Sequence, residues 1–192
     1  MNIRTKADLL LALLYAGGSP AHIPIASPVT GITRLEKLLF LLKLDEGFLE
    51  SVPDKDNFHF VPFRMGPWAS EVYDEVDFLE SLGLVNKVST SSISPADSAH
   101  NEELFSQMVL DKYQNQRSVD DDEVEVFKLT EAGKVKAAEI WKRLSDDERD
   151  RLIRVKKTFN NMNLRQFLRY VYKKHPEYTT ESEIKNYLGI SE

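Results

Sequence analysis

The chain contains no cysteine. That excludes a disulfide framework, a cysteine nucleophile and any thiolate-held zinc or iron–sulfur centre. It agrees with a reducing compartment, and a cytoplasmic protein is the expectation. Histidine is scarce as well: His22, His59, His100 and His175 lie far apart, and none has a second histidine or a carboxylate at the i, i+4 spacing of a helical zinc site. No metal and no other cofactor is therefore expected. Gly17-Gly18 lacks the flanking residues of a phosphate-cradling loop. Glu183-Ile184-Lys185 has the acid-x-lysine pattern of restriction-like nucleases, but it sits in a helical context without the preceding acid. With no catalytic constellation left, an enzyme is not expected.

Long apolar runs are also missing. No stretch approaches the roughly 20 apolar residues of a membrane span, so no membrane partner is expected. Arg4 and Lys6 before the run Leu9–Ala16 have the outline of a secretory signal, but Asp8 abuts that run. A core helix buried nearly all round is the better reading.

What is present is an ordinary globular composition: 192 residues, 42% hydrophobic and 29% charged. The net charge of −6 means that nucleic-acid binding would have to come from a local patch. The charge is unevenly spread. Residues 51–100 hold three basic side chains against eight acidic ones, whereas 151–174 hold eight basic groups and no acid.

Along the chain, Thr5 can cap a helix to about Ala16, and Thr33-x-x-Glu36 reads as a capping box opening a leucine-rich helix. Phe58–Phe63 reads as a short edge strand and Met65–Trp68 as a turn. Ser70–Leu82 has helical periodicity through Val72, Val76 and Leu79, with Trp68 on the same stripe. Leu84–Val88 and Val124–Leu129 read as paired strands around a long polar insertion that includes a serine-rich run, a short amphipathic segment at Leu104–Val109 and Asp120–Asp122. Thr130 caps the next helix, and Ser145-x-x-Glu148, Asn163-x-x-Gln166 and Thr180-x-x-Glu183 mark three more helix starts. The expected fold is α+β: a predominantly helical winged-helix-like domain over 1–144, with a small antiparallel hairpin and an enlarged wing at about 88–123. A helical C-terminal extension over 145–192 follows it.

Four segments carry a family resemblance. They are Ile32-Thr33-Arg34-Leu35-Glu36-Lys37-Leu38-Leu39-Phe40-Leu41-Leu42, Phe60-Val61-Pro62-Phe63-Arg64-Met65-Gly66-Pro67-Trp68-Ala69-Ser70-Glu71-Val72-Tyr73, Leu79-x-x-Leu82-Gly83-Leu84-Val85 and Leu129-Thr130-x-x-Gly133. Together they resemble the YwgA-type and SocA-antitoxin (Panacea) proteins, whose hallmark is a tyrosine–glycine–proline turn between two helices. Met65 stands where tyrosine is usual. The resemblance spans about residues 5–140. It implies a non-enzymatic module that in Panacea-type proteins often serves as the antitoxin half of a toxin–antitoxin pair.

Two partner surfaces follow. The Gly-Pro turn and the acidic helix after it (Arg64, Met65, Gly66, Pro67, Trp68, Glu71, Asp74 and Glu75) are the candidate site for a protein partner, a toxin or effector. The acids on that helix oppose its use as a DNA-reading helix. The alternative is a nucleic-acid-binding regulator, or a subunit of a defence or mobile-element complex. It would use Arg151, Arg154 and Lys157 on one helix and Arg165, Arg169 and Lys173 on the next. Pairing of this basic block with the acidic helix, within one chain or in a homodimer, is the structural alternative.

Overall fold

The computed structural model describes residues 2–17, 26–89 and 124–190. Pro20, Pro24 and the insertion from residue 90 to 123, and with it most of the expected wing, lie outside the described residues. Helix α1 (Lys6–Tyr15) begins at Thr5, whose hydroxyl accepts the Asp8 amide at 3.1 Å. All six residues from Leu9 to Leu14 are buried. This helix is apolar all round because it lies between other elements: α2 (Ile32–Leu44), α3 (Ser70–Ser81), α4 (Glu131–Arg143) and α5 (Asp146–Phe159) all pack on it.

The remaining elements are small. Strands β1 (Val29–Thr30), β4 (Val85–Ser89) and β5 (Glu125–Leu129) form an antiparallel sheet in the order β1-β5-β4, with Val85 opposite Leu129 and Val29 opposite Phe127. Strands β2 (Val61–Phe63) and β3 (Gly66–Trp68) form a separate hairpin. Helix α6 (Leu164–Lys174), a 3-10 turn at Pro176–Thr179 and the four-residue α7 (Lys185–Leu188) complete the chain. Among the described residues this is an α+β fold of seven α-helices with small antiparallel sheets, and one buried cluster runs from Ile3 to Leu188.

Caps account for several boundaries. Ser145 and Glu148 form a reciprocal capping box at α5, and the same carboxylate accepts the Asn2 amide at 2.7 Å, tying the N-terminal end to this helix. Burial would raise the Glu148 carboxyl, but hydrogen bonds from Ser145 and Asn2 outweigh it and hold the group below the usual carboxylate range. Asn163 caps α6 by accepting the Arg165 and Gln166 amides. Two expected caps are absent. Helix α2 starts two residues earlier than expected, at Ile32 after Gly31, which has no side chain to cap with; Thr33 lies inside the first turn and Glu36 turns into the core. Thr180-x-x-Glu183 opens no helix. Its residues turn and bend between the 3-10 turn and α7, with the Ser182 amide donating to the Thr179 carbonyl at 3.1 Å, and form a strap over the hairpin.

The hairpin also differs from expectation. Its turn is Arg64-Met65, while Gly66-Pro67-Trp68 is a strand paired with Val61–Phe63. Pro67 tolerates that place because a two-stranded ribbon leaves its nitrogen without a ladder partner to satisfy.

One motif closes the fold between β4 and α4. The Thr130 hydroxyl donates to the Gly83 carbonyl at 2.7 Å and accepts the Gly133 amide at 2.9 Å, while the Thr130 amide donates to the Leu84 carbonyl at 3.1 Å. Helix α4 thereby sits so close to β4 that a Cβ on Gly133 would lie 1.9 Å from the Leu84 oxygen. Glycine is required there by contact, not by backbone conformation. Gly133→Ala should destabilise the chain by about 2–4 kcal/mol in denaturant unfolding despite alanine's better helix propensity. A neutral or stabilising effect would contradict this packing.

Candidate functional site

The site is built outward from α2. Glu36 and Lys37 are adjacent and both buried, and Lys37 Nζ lies 2.5 Å from Glu36 Oε2. Each carries a second bond to the hairpin strand or its end: Lys37 Nζ donates to the Pro67 carbonyl at 2.6 Å, and Glu36 Oε1 accepts the Ala69 amide at 3.1 Å. Burial pushes the Glu36 carboxyl up, opposed by the Lys37 ammonium and the Ala69 amide. The Gly-Pro strand is thus held at its backbone by a charge pair on a buried helix.

The other side of the strand is covered by the C-terminal part of the chain. Gly66 has φ +85°, and a Cβ there would meet the Tyr172 ring at 2.8 Å. Tyr172 Oη and Ser182 Oγ share a hydrogen bond of 2.7 Å, and the Glu183 amide donates to the Arg64 carbonyl at 3.0 Å. Arg64 Nε lies 3.4 Å from Glu183 Oε1. Gly66 and Pro67, expected to face a partner, are therefore buried by α6 and the strap. Their surface is used within the chain.

What the hairpin leaves in solvent is aromatic. Phe63 packs against Trp68 with ring centres 5.1 Å apart and planes tilted by 36°, and Trp68 lies 6.4 Å from Tyr73. Val61, Phe63 and Tyr73 are 45%, 41% and 38% exposed, Trp68 is half-buried, and Arg64 lies over the Phe63 ring at 5.8 Å. Trp68 thus ends the Val72–Val76–Leu79 stripe at its rim instead of inside it. Met65 is half-buried against the core. The sequence reading singled out Trp68 and passed over Phe63 and Tyr73. For Phe63 the available signal was its two-residue spacing from Val61 on an edge strand, and for Tyr73 its place beside the buried Val72–Val76–Leu79 stripe of α3.

The acids of α3 are largely occupied. Glu75 points inward, 6% exposed, with Lys6 at 4.0 Å; it is not a partner-facing group. Burial raises its carboxyl, opposed by Lys6 and reinforced by Asp56 and Asp74. Glu71 contacts His59 Nδ1 at 2.6 Å. Burial would raise Glu71, but its own amide and the imidazole and amide of His59 together outweigh it and lower it. Asp77 and Glu80 converge on Lys87. Of the three acids proposed for a partner, Asp74 is the one left exposed without an ion pair among the described residues.

The basic block divides the same way. Arg151 pairs with Asp147 at 2.8 Å, donates to the Glu46 carbonyl and lies over the Phe48 ring; Arg154 pairs with Glu46 at 2.7 Å. Lys174 and His175 both reach Asp45, at 2.6 and 2.9 Å. The partner of these groups is the end of α2, not α3. Lys156 is buried with Nζ donating to the carbonyls of Leu13, Leu14 and Ser27, and burial pushes its ammonium down to about 7. Lys157, Arg165, Arg169 and Lys173 stay on the surface. Among the described residues no group of three or more histidines and carboxylates could hold a metal, and no helix is long and apolar enough to cross a membrane.

The packing of Gly66 yields a direct test. Gly66→Ala combines an unfavourable left-handed φ with contact against a buried ring and should cost about 2–4 kcal/mol. Arg64→Ala removes an exposed ion pair and an exposed contact with the Phe63 ring, and should cost under about 1 kcal/mol. Equal, small effects on the melting temperature would contradict the strap-covered hairpin.

In comparisons with known proteins, no family model, no curated protein and no solved structure matches this chain.

Proposed function

We propose that the chain is a non-enzymatic protein-interaction module of antitoxin or regulatory type, with the aromatic row Phe63–Trp68–Tyr73 as its docking surface. The observation that carries this reading is a row of three neighbouring rings, Phe63 and Trp68 on the hairpin and Tyr73 on α3, with Phe63 and Tyr73 exposed and the hairpin backbone held by Lys37, Glu36 and Glu183. Aromatic side chains bring large apolar area at low entropic cost, and such groups dominate interface energetics when a partner removes them from water. Arg64 beside Phe63 and Asp74 beyond Tyr73 would form the polar rim. Pro67 and Gly66 act by placing the row and Glu75 by packing.

Two further points support the reading. The hairpin and its flanking motifs resemble the antitoxin-type proteins, and the order α1, α2, α3, β4, β5 with β1 as third strand fits a winged-helix arrangement. In that arrangement the third helix commonly reads DNA, but α3 displays Glu71, Asp74, Asp77 and Glu80 without an arginine. Phosphate repulsion directs that side of the molecule to protein.

The product of the adjacent open reading frame is the natural candidate partner. On co-expression it should co-purify with the chain. The double variant Phe63→Ser/Tyr73→Ser, altered at exposed positions, should keep its melting temperature and weaken binding at least about 30-fold. Binding that survives this variant, or that is lost on neutralising Asp74 alone, would remove the aromatic row from the account.

A further inference from the structure

Helix α6 divides cleanly by face. Leu164, Phe167, Leu168, Val171 and Tyr172 are buried, whereas Arg165, Gln166, Arg169, Tyr170, Lys173 and Lys174 are exposed. At 100° per residue the exposed set covers one half of the helix and the buried set the other. No acid occurs anywhere in α6. Lys174, at the C-terminal end, is held by Asp45 and Tyr170. Arg165 donates one bond to the Tyr187 carbonyl at 2.8 Å and lies over that ring at 5.1 Å, which orients its guanidinium and leaves other donors available. Arg169 and Lys173 make no ion pair among the described residues. A row of like charge at i, i+4, i+8 costs helix stability, yet no carboxylate among the described residues neutralises it, in contrast with Arg151, Arg154 and Lys174.

We propose that the outer face of α6 docks in the major groove of duplex DNA, with Arg165, Arg169 and Lys173 on backbone phosphates and Gln166 at the base edges. The row spans about 12 Å along the axis, and a helix of this kind is about 10–12 Å across, which the B-form major groove of about 12 Å accepts. The opposing groove of duplex RNA is too narrow for it. A membrane surface would need apolar side chains free to insert, and those of α6 are buried in the core, with only Tyr170 reaching the surface. The regular phosphate spacing of a duplex and the release of its counterions favour DNA over an acidic protein for a row of this period. The Asn163 cap uses the Arg165 and Gln166 amides, so the contacts fall to side chains and not to the helix end. This surface is independent of the aromatic row, and the two could be occupied at once.

The test is titration of a labelled duplex with the full chain by fluorescence anisotropy. Three phosphate contacts predict a slope of about −2.7 in log affinity against log salt, so that raising salt from about 50 to about 200 mM should weaken binding about 40-fold. Arg169→Gln/Lys173→Gln should reduce that factor to about 3- to 4-fold and lower affinity at low salt. The charge-matched control Lys134→Gln/Lys136→Gln, on α4 where each lysine pairs with an acid of its own helix, should leave binding unchanged. Melting temperatures establish that each variant folds, and Arg169→Gln alone serves if the double variant does not. The proposal is overturned if the duplex does not bind at low salt or if the α6 variant binds like the parent. Equal loss with the α4 control would also overturn it, as would equal binding of duplex RNA or of phosphatidylserine vesicles.

Discussion

A buried ion pair on one helix fixes where the exposed chemistry of this protein sits. Glu36 and Lys37 are neighbours in sequence, yet both are enclosed, and each would be costly there alone. They are tolerable because they satisfy each other and because their remaining capacity goes to the backbone of one short segment, the Pro67 carbonyl and the Ala69 amide. A three-residue strand has little stability of its own. Held from below by these two charges and from above by Tyr172 and the strap at Ser182–Glu183, it is fixed in place and carries Trp68 between Phe63 of β2 and Tyr73 of α3. Breaking such a pair from one side costs about 3–5 kcal/mol, whereas well-packed apolar replacement of both members can be nearly neutral for stability. What the pair adds beyond stability is location.

The same logic explains the charge map. Sequence polarity between an acidic middle and a basic last third suggested two opposed surfaces. The structure spends most of that polarity internally. Asp45 and Glu46, at the end of α2, gather Lys174, His175 and Arg154. His59, Lys87 and Lys6 face the acids of α3. Lys156 closes the C-terminal end of α1 by donating to two of its carbonyls. After these pairings two features stand out among the described residues: an aromatic row where the hairpin meets α3 and a cationic face on α6.

Much of the fold was legible in the sequence. The apolar run of α1 with Thr5, the alternation Val126–Leu129, the caps at Thr130, Ser145 and Asn163, and the period of α3 each state a local preference that packing then reinforces. The failures share a cause. Thr33-x-x-Glu36 and Thr180-x-x-Glu183 are locally good helix starts, but tertiary contacts claimed the decisive side chains: Glu36 for Lys37 and Ala69, and the Ser182–Glu183 stretch for Arg64. Glu75 looked like a surface acid because its neighbours are charged, while its position three residues after Val72 and four before Leu79 placed it beside the buried stripe. The candidate site was legible as a segment and not as a surface. Gly66-Pro67 was recognisable, but no local pattern says that residues more than one hundred positions later cover it.

The central claim is that the Glu36–Lys37 pair positions the hairpin. Native-state hydrogen exchange on Lys37→Met tests it most directly. The account predicts that the Ala69 amide and the Glu183 amide lose protection together, while amides of the β4–β5 ladder exchange as in the parent chain once the global stability change is subtracted. Retained protection at Ala69 and Glu183, or a loss spread evenly over both sheets, would contradict it.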